Sequence, residues 1–534
     1  MMKSWLQQST VRASLLVVGL CGAFWSTGAS AQQLYNQAEV CAEPVAKQDK
    51  FKHLRALSLE LRGYPPTPEE YAQLRELEDV PEEWVDQWLS SEDFAGRTVR
   101  WHKGLLWNNI TRENIINPNM SLGRSSNIYW RTGTIATRLR GRNIPCLNEP
   151  ATFDDSGAPV MKQQADGTQR EGYVEVTPYW DTSTTVRVCA LDAQDRLISE
   201  GGTACGTRTT ILDFSCGCGP NLRWCATGET RRAILESMEQ QTDRLIAKMV
   251  TEKQSYMELF TSQDLDFNGP LTHYWRYQTQ VPSTVYNNPN PVEVEQLPEV
   301  EFSNQESWHT VHQGPHYAGI LTSPSFLLRF QTDRARATQF YTKFLCQPFQ
   351  PPPNGISTKE EAALESPDLQ ERDGCKYCHA LLEPAASFWG RWVERSAGYL
   401  DQDNYPAYNS SCEECAKTGK QCSDSCRRYY QLDTSHDSMT PFAGYLSSYL
   451  WRDVKHMDYI EQGPALLART GMTDGRLPGC IAQQSAEYYF GRALTEQETQ
   501  ELVPELALIF TRSNYSYHEL IKAIVSSPLY RSVR

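Results

Sequence analysis

Cysteine restricts the fold of this chain more than any other residue type. Sixteen cysteines occur among 534 residues, and seven of them lie in two dense stretches, FSCGCGPNLRWC (residues 214–225) and CEECAKTGKQCSDSC (residues 412–426). Such clusters bind metal ions in reducing compartments and form disulfides in oxidising ones. The compartment of the protein therefore determines what these segments become.

The first 31 residues have the pattern of a cleavable leader. Lys3 and Arg12 precede the apolar run ASLLVVGLCGAFW, and Ala29-Ser30-Ala31 then supplies the small residues of a signal-peptidase site. The apolar run is shorter than the roughly 20 residues of a spanning helix, which disfavours a membrane anchor. We expect cleavage after Ala31 and a periplasmic, secreted or cell-surface protein with no transmembrane segment after leader removal.

The charge balance narrows the range of partners. The formal net charge is −14, and loss of the two basic residues of the leader lowers it to −16. An acidic surface repels phosphate backbones and anionic lipids. Nucleic acid is therefore not an expected partner.

One short motif points to a cofactor. In GCKYCHALLEP (residues 374–384), Cys375 and Cys378 are separated by two residues, and His379 follows directly. This is the arrangement in which haem c is attached, with each thiol bonded to the porphyrin and the histidine bound to iron. In an exported chain it predicts one covalent haem c with His379 as the proximal ligand. The alternative is a thiol or disulfide pair beside an incidental histidine.

The remaining cysteines are expected to form disulfides. Outside the leader and the motif, thirteen cysteines remain: Cys41, Cys146, Cys189, Cys205, Cys216, Cys218, Cys225, Cys346, Cys412, Cys415, Cys422, Cys426 and Cys480. An oxidising compartment favours disulfides in both dense stretches, with zinc as the alternative at each. Because thirteen is odd, at least one cysteine is free, intermolecular or wrongly assigned.

Helix signals dominate both ends of the chain. Thr67 can cap a helix that begins at Pro68, with Glu70 completing a capping box. Trp84 and Trp88 in PEEWVDQWL recur at helical spacing and are expected in the core. Two further capping boxes are predicted near the C-terminus: Thr495 with Glu498, and Ser516 with Glu519.

The middle of the chain is more varied. The stretches YVEVTPYW and TTVRVCAL alternate as strands do. The segment from Thr230 to Phe260 carries an apolar helical stripe in which Met238 and Met249 are packing residues. Three histidines then follow closely: His309, His312 and His316. A proline and a glycine interrupt any shared helical face, so we expect surface or hydrogen-bonded histidines and not a metal site.

These patterns predict a mainly α protein, a multi-segment helical chain with a c-type haem module and disulfide-rich inserts that are partly strand and loop. The expected segments are a signal peptide (1–31), an N-terminal helical module (32–110), a cysteine-rich insert (111–229), an amphipathic helical segment (230–279), a linker (280–307), the haem c module (308–400), a second cysteine-rich insert (401–430) and a C-terminal helical module (431–534).

The sixth iron ligand has several candidates. Met439 ranks first because it lies in a loop-like stretch, SHDSMTPF, about as far past the motif as small cytochromes place theirs. His316 is an alternative from the segment before the motif. The other candidates are Met457, Met472, His436 and His456.

Several segments resemble a known family. GYPPTPEEYAQL is similar to the N-terminal module of planctomycete-type cytochrome c proteins. AGILTSPSFLLRF, RATQFYTKFLCQPFQPPP and GCKYCHALLEPAASFWGRW resemble their haem-bearing module. LPGCIAQQSAEYYFGRALTEQE and LIKAIVSSPLY are similar to their C-terminal helical module. These segments match the deltaproteobacterial and myxobacterial versions of the family better than the planctomycete versions. The resemblance implies a c-type haem at Cys375, Cys378 and His379, but no particular reaction.

Three functions follow from an exported haem. Single-electron transfer to an unidentified redox partner protein is the simplest. A haem-dependent oxidoreductase of peroxidase type is the alternative, since the chain is large for electron carriage alone. The third is a surface or polymer-binding module with the haem as an electron port, which the 14 tryptophans and 26 tyrosines suggest.

Overall fold

The structure, a computed structural model, describes residues 48–281, 289–349, 366–372 and 374–532. The leader (1–31), Cys41 and the proline run at 351–353 lie outside these residues. About 47% of the described residues are helical, with nineteen α-helices and a few small sheets among them, which confirms the mainly α class. Within these ranges, no helix combines the length and apolar character that crossing a membrane requires.

Four helices form the N-terminal part: α1 (Lys50–Leu61), α2 (Pro68–Arg75), α3 (Glu82–Leu89) and α4 (Glu92–Leu106). The predicted capping box at α2 is confirmed. Thr67 Oγ1 accepts a hydrogen bond from the Glu70 N–H at 3.2 Å, and Glu70 Oε2 accepts one from the Thr67 N–H at 2.8 Å. Trp88 is buried as expected, whereas Trp84 is only partly buried.

The first cysteine-rich insert is a small sheet held by disulfides. Its elements are β1 (Leu122–Ser125), β2 (Ile128–Arg131), α5 (Thr134–Arg140), β3 (Lys162–Gln163), β4 (Gln169–Arg170), β5 (Tyr173–Val176) and β6 (Val186–Cys189). The sheet order is β1-β2-β6-β5, in which β2 and β6 run parallel and the other neighbours antiparallel; β3 and β4 pair separately. Three disulfides close it, as predicted: Cys146–Cys189, Cys205–Cys216 and Cys218–Cys225.

Four fully buried charges hold this insert together. Asp192 accepts from Arg131 Nε at 2.7 Å and from Arg140 Nη2 at 2.9 Å, and Arg140 Nε donates to Glu171 at 2.9 Å. All four side chains are 0% exposed. Because two guanidinium groups meet two carboxylates, the cluster is neutral overall, which is the condition under which charges tolerate burial.

The central part consists of a long helix and shorter elements packed on it: α6 (Gly228–Thr251), α7 (Glu258–Thr261), β7 (Asp264–Phe267), α8 (Gly269–His273), β8 (His309–His312), α9 (Pro324–Arg329) and α10 (Asp333–Phe344). Helix α6 packs along α4, and β7 pairs antiparallel with β8. Met238 and Met249 are buried, as predicted. The expected single helix to Phe260 is wrong, because α6 ends at Thr251 and Lys253 adopts a left-handed φ of 52°.

The C-terminal part is again helical: α11 (Lys376–Ser387), α12 (Ser410–Thr418), α13 (Asp424–Tyr429), α14 (Val454–Gln462), α15 (Pro464–Thr473), α16 (Arg476–Phe490), α17 (Glu496–Arg512), α18 (Tyr517–Ser526) and α19 (Pro528–Ser532). The capping box of Thr495 and Glu498 is complete. At α18, Ser516 accepts from the Glu519 N–H, which is half of the predicted box.

The second cysteine-rich insert contains disulfides, as expected. Cys412–Cys426 and Cys415–Cys422 join α12 to the segment that includes α13, so the zinc alternative does not apply there. Cys346–Cys480 ties the end of α10 to α16. Twelve of the thirteen cysteines outside the leader and motif are thus paired within the described residues.

Both ends of the chain contribute to one main core. Phe94 of α4 stacks on Tyr517 of α18 with ring centroids 6.3 Å apart, and the Tyr530 hydroxyl donates to Glu60 at 2.8 Å. The N-terminal and C-terminal helices therefore bury each other's apolar faces.

Candidate functional site

The Cys-Lys-Tyr-Cys-His motif forms the entry and first turn of α11. Gly374 has a φ of 78°, a left-handed conformation that glycine adopts without strain, and Cys375 then caps the helix. The His379 N–H donates to the Cys375 carbonyl at 3.0 Å. Because residues three and four apart share a helix face, Cys375, Cys378 and His379 lie on one side of α11. Both cysteines are thiols and partly exposed.

A buried carboxylate holds the histidine one helical turn away. His379 Nδ1 lies 2.7 Å from Oε1 of Glu383, whose side chain is 5% exposed, whereas that of His379 is 21% exposed. The spacing of four residues places the two side chains one above the other on α11.

Two arginines from distant elements meet the same carboxylate. Arg334 Nε, at the start of α10, donates to Glu383 Oε1 at 2.5 Å, and Arg452 Nη2, just before α14, donates to Oε2 at 2.9 Å. Burial by itself would raise the pKa of Glu383, but the hydrogen bonds from Arg334, His379 and Arg452 outweigh burial and lower this pKa to about 2. Glu383 is therefore a carboxylate at any physiological pH.

The charge of Glu383 determines the tautomer of His379. An ionised carboxylate can only accept hydrogen bonds, so Nδ1 must carry the proton that it donates. In the neutral ring, Nε2 then has the free lone pair, and this is the nitrogen available to a metal ion. A histidine that donates its other N–H to a carboxylate is the usual arrangement of a metal ligand. The residues present therefore fit a proximal haem ligand.

The loop of Met439 is linked by hydrogen bonds to the segment that precedes the motif. Met439 caps a short 3-10 turn (Thr440–Phe442) and is partly buried. Its neighbour Ser438 accepts from Trp451 Nε1 at 3.3 Å, and the Trp451 carbonyl accepts from Gln370, five residues before Cys375, at 3.3 Å. Trp451 thus connects the loop of Met439 with the segment that enters α11.

The alternative candidate His316 occupies an aromatic cluster beyond the other end of α11. Its ring stacks on Tyr399 with centroids 4.3 Å apart and contacts Trp392. Its Nε2 lies 3.3 Å from the Pro291 carbonyl, which can only accept, so Nε2 donates there. Burial lowers the pKa of His316, so the ring is held neutral.

The side chains of the remaining ligand candidates make other contacts. His436 is exposed and lies 2.8 Å from Ser438 Oγ, and His456 contacts Asp453 at 3.3 Å. Met457 packs against the small core of the second cysteine-rich insert, and Met472 is buried in the main core.

The other two histidines of the sequence cluster lie on an exposed strand. His309 contacts Ser307 at 3.0 Å, and His312 Nδ1 lies 2.8 Å from Asp264 on the paired strand. They are hydrogen-bonded surface residues, as expected.

Sequence reasoning did not find Arg334 and Arg452. They are 49 and 69 residues from Glu383 along the chain, so no local pattern connects them. Glu383 itself could be found, since a carboxylate four residues after a ligating histidine lies on the same helix face.

Comparison of the chain with protein-family models, curated proteins and solved structures found no match.

Proposed function

We propose that this chain is an exported c-type haem protein that transfers single electrons, similar to the planctomycete-type cytochrome c proteins. Cys375 and Cys378 would hold the haem covalently, and His379 would be its proximal ligand. The haem would supply one-electron exchange at its iron. The six disulfides fit the oxidising compartment that haem c attachment outside the cytoplasm implies.

The observation that carries this proposal is the hydrogen bond from His379 to Glu383. An incidental histidine next to a cysteine pair has no need of a buried anion that fixes its tautomer. Here the carboxylate orients the ring, and in the neutral ring it places the proton on Nδ1, which leaves the Nε2 lone pair for iron. The arginines in turn keep the carboxylate ionised and in position.

Met439 remains the first candidate for the sixth ligand. Its support is the contact chain through Trp451 to the entry of α11. A thioether ligand raises the reduction potential relative to a second histidine.

The test is expression of the chain with a haem c maturation system. We expect haem colour that persists after denaturation and acid extraction, a c-type pyridine haemochrome spectrum, and a mass increased by one haem. Changing both Cys375 and Cys378 to Ser should abolish all three. The matched control is Cys415→Ser with Cys422→Ser, which removes two other cysteines and should leave the haem attached. A mature protein without bound haem would contradict the proposal.

A haem-dependent oxidoreductase is the second candidate, and the same hydrogen bond favours it. An ionised partner makes the histidine a stronger electron donor to iron, a feature that supports oxygen or peroxide chemistry. Ferric spectra separate the two functions. A low-spin form that ignores peroxide and carbon monoxide would exclude the enzyme, whereas a high-spin form that binds them would exclude the simple carrier.

A further inference from the structure

A cavity of about 340 Å³ lies beside Glu383, and nothing in the proposed function uses it. Its lining combines the start of α10, the carboxylate of Glu383 on α11, and residues of the second cysteine-rich insert and of the segment before α14. Three arginines contribute to it: Arg334, Arg428 and Arg452. A cavity of this size holds a small organic acid or an inorganic oxyanion more readily than a large metabolite.

Two residues of this lining each carry a buried polar atom that has no hydrogen-bond partner among the described residues. They are Ser448 Oγ and Arg452 Nε. A buried polar group without a partner is destabilising, and such groups are rare unless a ligand or water satisfies them. Arg452 Nε can only donate and Ser448 Oγ can donate as well, so one acceptor would satisfy both.

The net charge of the lining also favours a ligand that accepts hydrogen bonds. Glu383 is already engaged by two of the arginines and by His379. Asp333, a second acid in the lining, accepts a hydrogen bond from Arg336 Nη1 at 3.0 Å, so its charge is compensated by an arginine outside the lining. The exposed Glu394 is then the other carboxylate, and the exposed Arg428 adds a third guanidinium. With Asp333 paired to Arg336, the three guanidinium groups of the lining face two other carboxylates.

We infer that this cavity binds a small oxyanion, a carboxylate or phosphate, through Arg428, Ser448 and Arg452. Because Arg452 also bonds Glu383, the bound anion competes with Glu383 for this guanidinium. When Arg452 compensates less of the charge of Glu383, the carboxylate accepts the Nδ1–H hydrogen bond of His379 more strongly. The imidazole ring then becomes a stronger electron donor to iron. The anion site is thereby coupled to the haem, and this second part rests on the proposed function.

Binding is measured first, on the full mature chain and without reference to haem. Isothermal titration calorimetry at constant ionic strength uses inorganic phosphate in one arm and succinate in the other. We expect saturable binding of at least one anion, weakened about tenfold by Arg428→Gln and also weakened by Ser448→Ala. The control Arg512→Gln removes an exposed guanidinium on α17 and should leave the affinity unchanged. Absence of binding, or wild-type affinity in both the Arg428→Gln and the Ser448→Ala protein, would overturn the inference.

Coupling is measured next by spectroelectrochemical titration of the haem-loaded protein. We expect the midpoint potential to fall as the bound anion is added, with half of the shift at the calorimetric Kd. Stronger electron donation by His379 stabilises the oxidised iron, and so does the negative charge of the bound anion. Both effects therefore lower the midpoint potential. Saturating anion with an unchanged potential would overturn the coupling. A protein that binds the anion but carries no haem would refute the proposed function and leave the anion site standing.

Discussion

Glu383 shows how one residue can join three parts of the chain. Its carboxylate contacts His379 on its own helix, Arg334 from α10 and Arg452 from the segment before α14. Each contact is a charge-assisted hydrogen bond, which is stronger and more directional than a neutral one. The orientation of His379 therefore depends on two side chains that the motif does not include.

We predict that Glu383→Gln raises the haem midpoint potential. A neutral amide is a weaker acceptor than a carboxylate, so His379 becomes a weaker electron donor and the reduced iron gains stability. Each tenfold change in the relative stability of the two iron states corresponds to about 60 mV. Spectroelectrochemical titration measures the change. Glu414→Gln, at an exposed position on α12, is the matched control, and equal potentials in both variants would contradict the prediction.

Asp192 is the residue on which the buried charges of the first insert converge. We predict that Asp192→Asn lowers the free energy of unfolding by about 3–5 kcal/mol, because two buried guanidinium groups would share one carboxylate. Denaturant unfolding measures the loss. The exposed Asp195→Asn, in the same loop, should change stability by less than about 0.5 kcal/mol. Similar stabilities for the two variants would show that the cluster does not need both acids.

At the scale of elements, caps and disulfides differ in how far they act along the chain. The caps at Thr67 and Thr495 act within one helical turn, and both boxes were predicted from four residues. The end of α6 was not predicted, because the apolar stripe continues past Thr251 while the backbone turns at Lys253. The apolar periodicity indicates which helix face is buried. It does not indicate where α6 must end so that α7 can pack against the core.

The disulfide Cys346–Cys480 should stabilise the protein more than the shorter loops do. It closes 134 residues, whereas Cys218–Cys225 closes 7. If disulfides act by restricting the unfolded chain, replacing both cysteines by serine should cost about 5 kcal/mol for the long loop and about 2 kcal/mol for the short one. Thermal and denaturant unfolding of the two double variants measure the difference. A larger loss for the short loop would indicate that native packing, not chain entropy, dominates.

The whole molecule is held by contacts between the ends of the chain. His102 of α4 lies among aromatic rings from both ends, and its Nδ1 donates to the Thr98 carbonyl at 2.8 Å while its Nε2 accepts from the Tyr256 hydroxyl at 2.9 Å. Both nitrogens are therefore satisfied in the neutral ring.

This buried histidine predicts acid sensitivity of the whole fold. Burial lowers the pKa of His102 from 6.5 to about 4, against the opposing bond to Thr98. Since the unfolded chain binds a proton near pH 6.5 and the folded one only near pH 4, His102 favours the folded state fully above pH 6.5. That contribution, on the order of 3 kcal/mol, is lost as the pH falls to 4.

The measurement is the free energy of unfolding across pH 4 to 7. His102→Gln should flatten the slope in this window whatever its effect on absolute stability, because glutamine does not titrate. His436→Gln, at an exposed position, should keep the wild-type slope. Parallel slopes for wild type and His102→Gln would contradict the prediction.

Features that depend on a few neighbouring residues could be predicted from the sequence alone. Helical stripes, the capping boxes, the preference for disulfides in the dense cysteine stretches and the Cys-Lys-Tyr-Cys-His motif all follow from local spacing and the expected compartment. The cysteine pairs, the convergence of Arg334 and Arg452 on Glu383 and the burial of four charges together became apparent only in the folded structure. Those choices depend on contacts between segments tens of residues apart, whose free energy comes from packing the whole chain and leaves no periodic trace in the sequence.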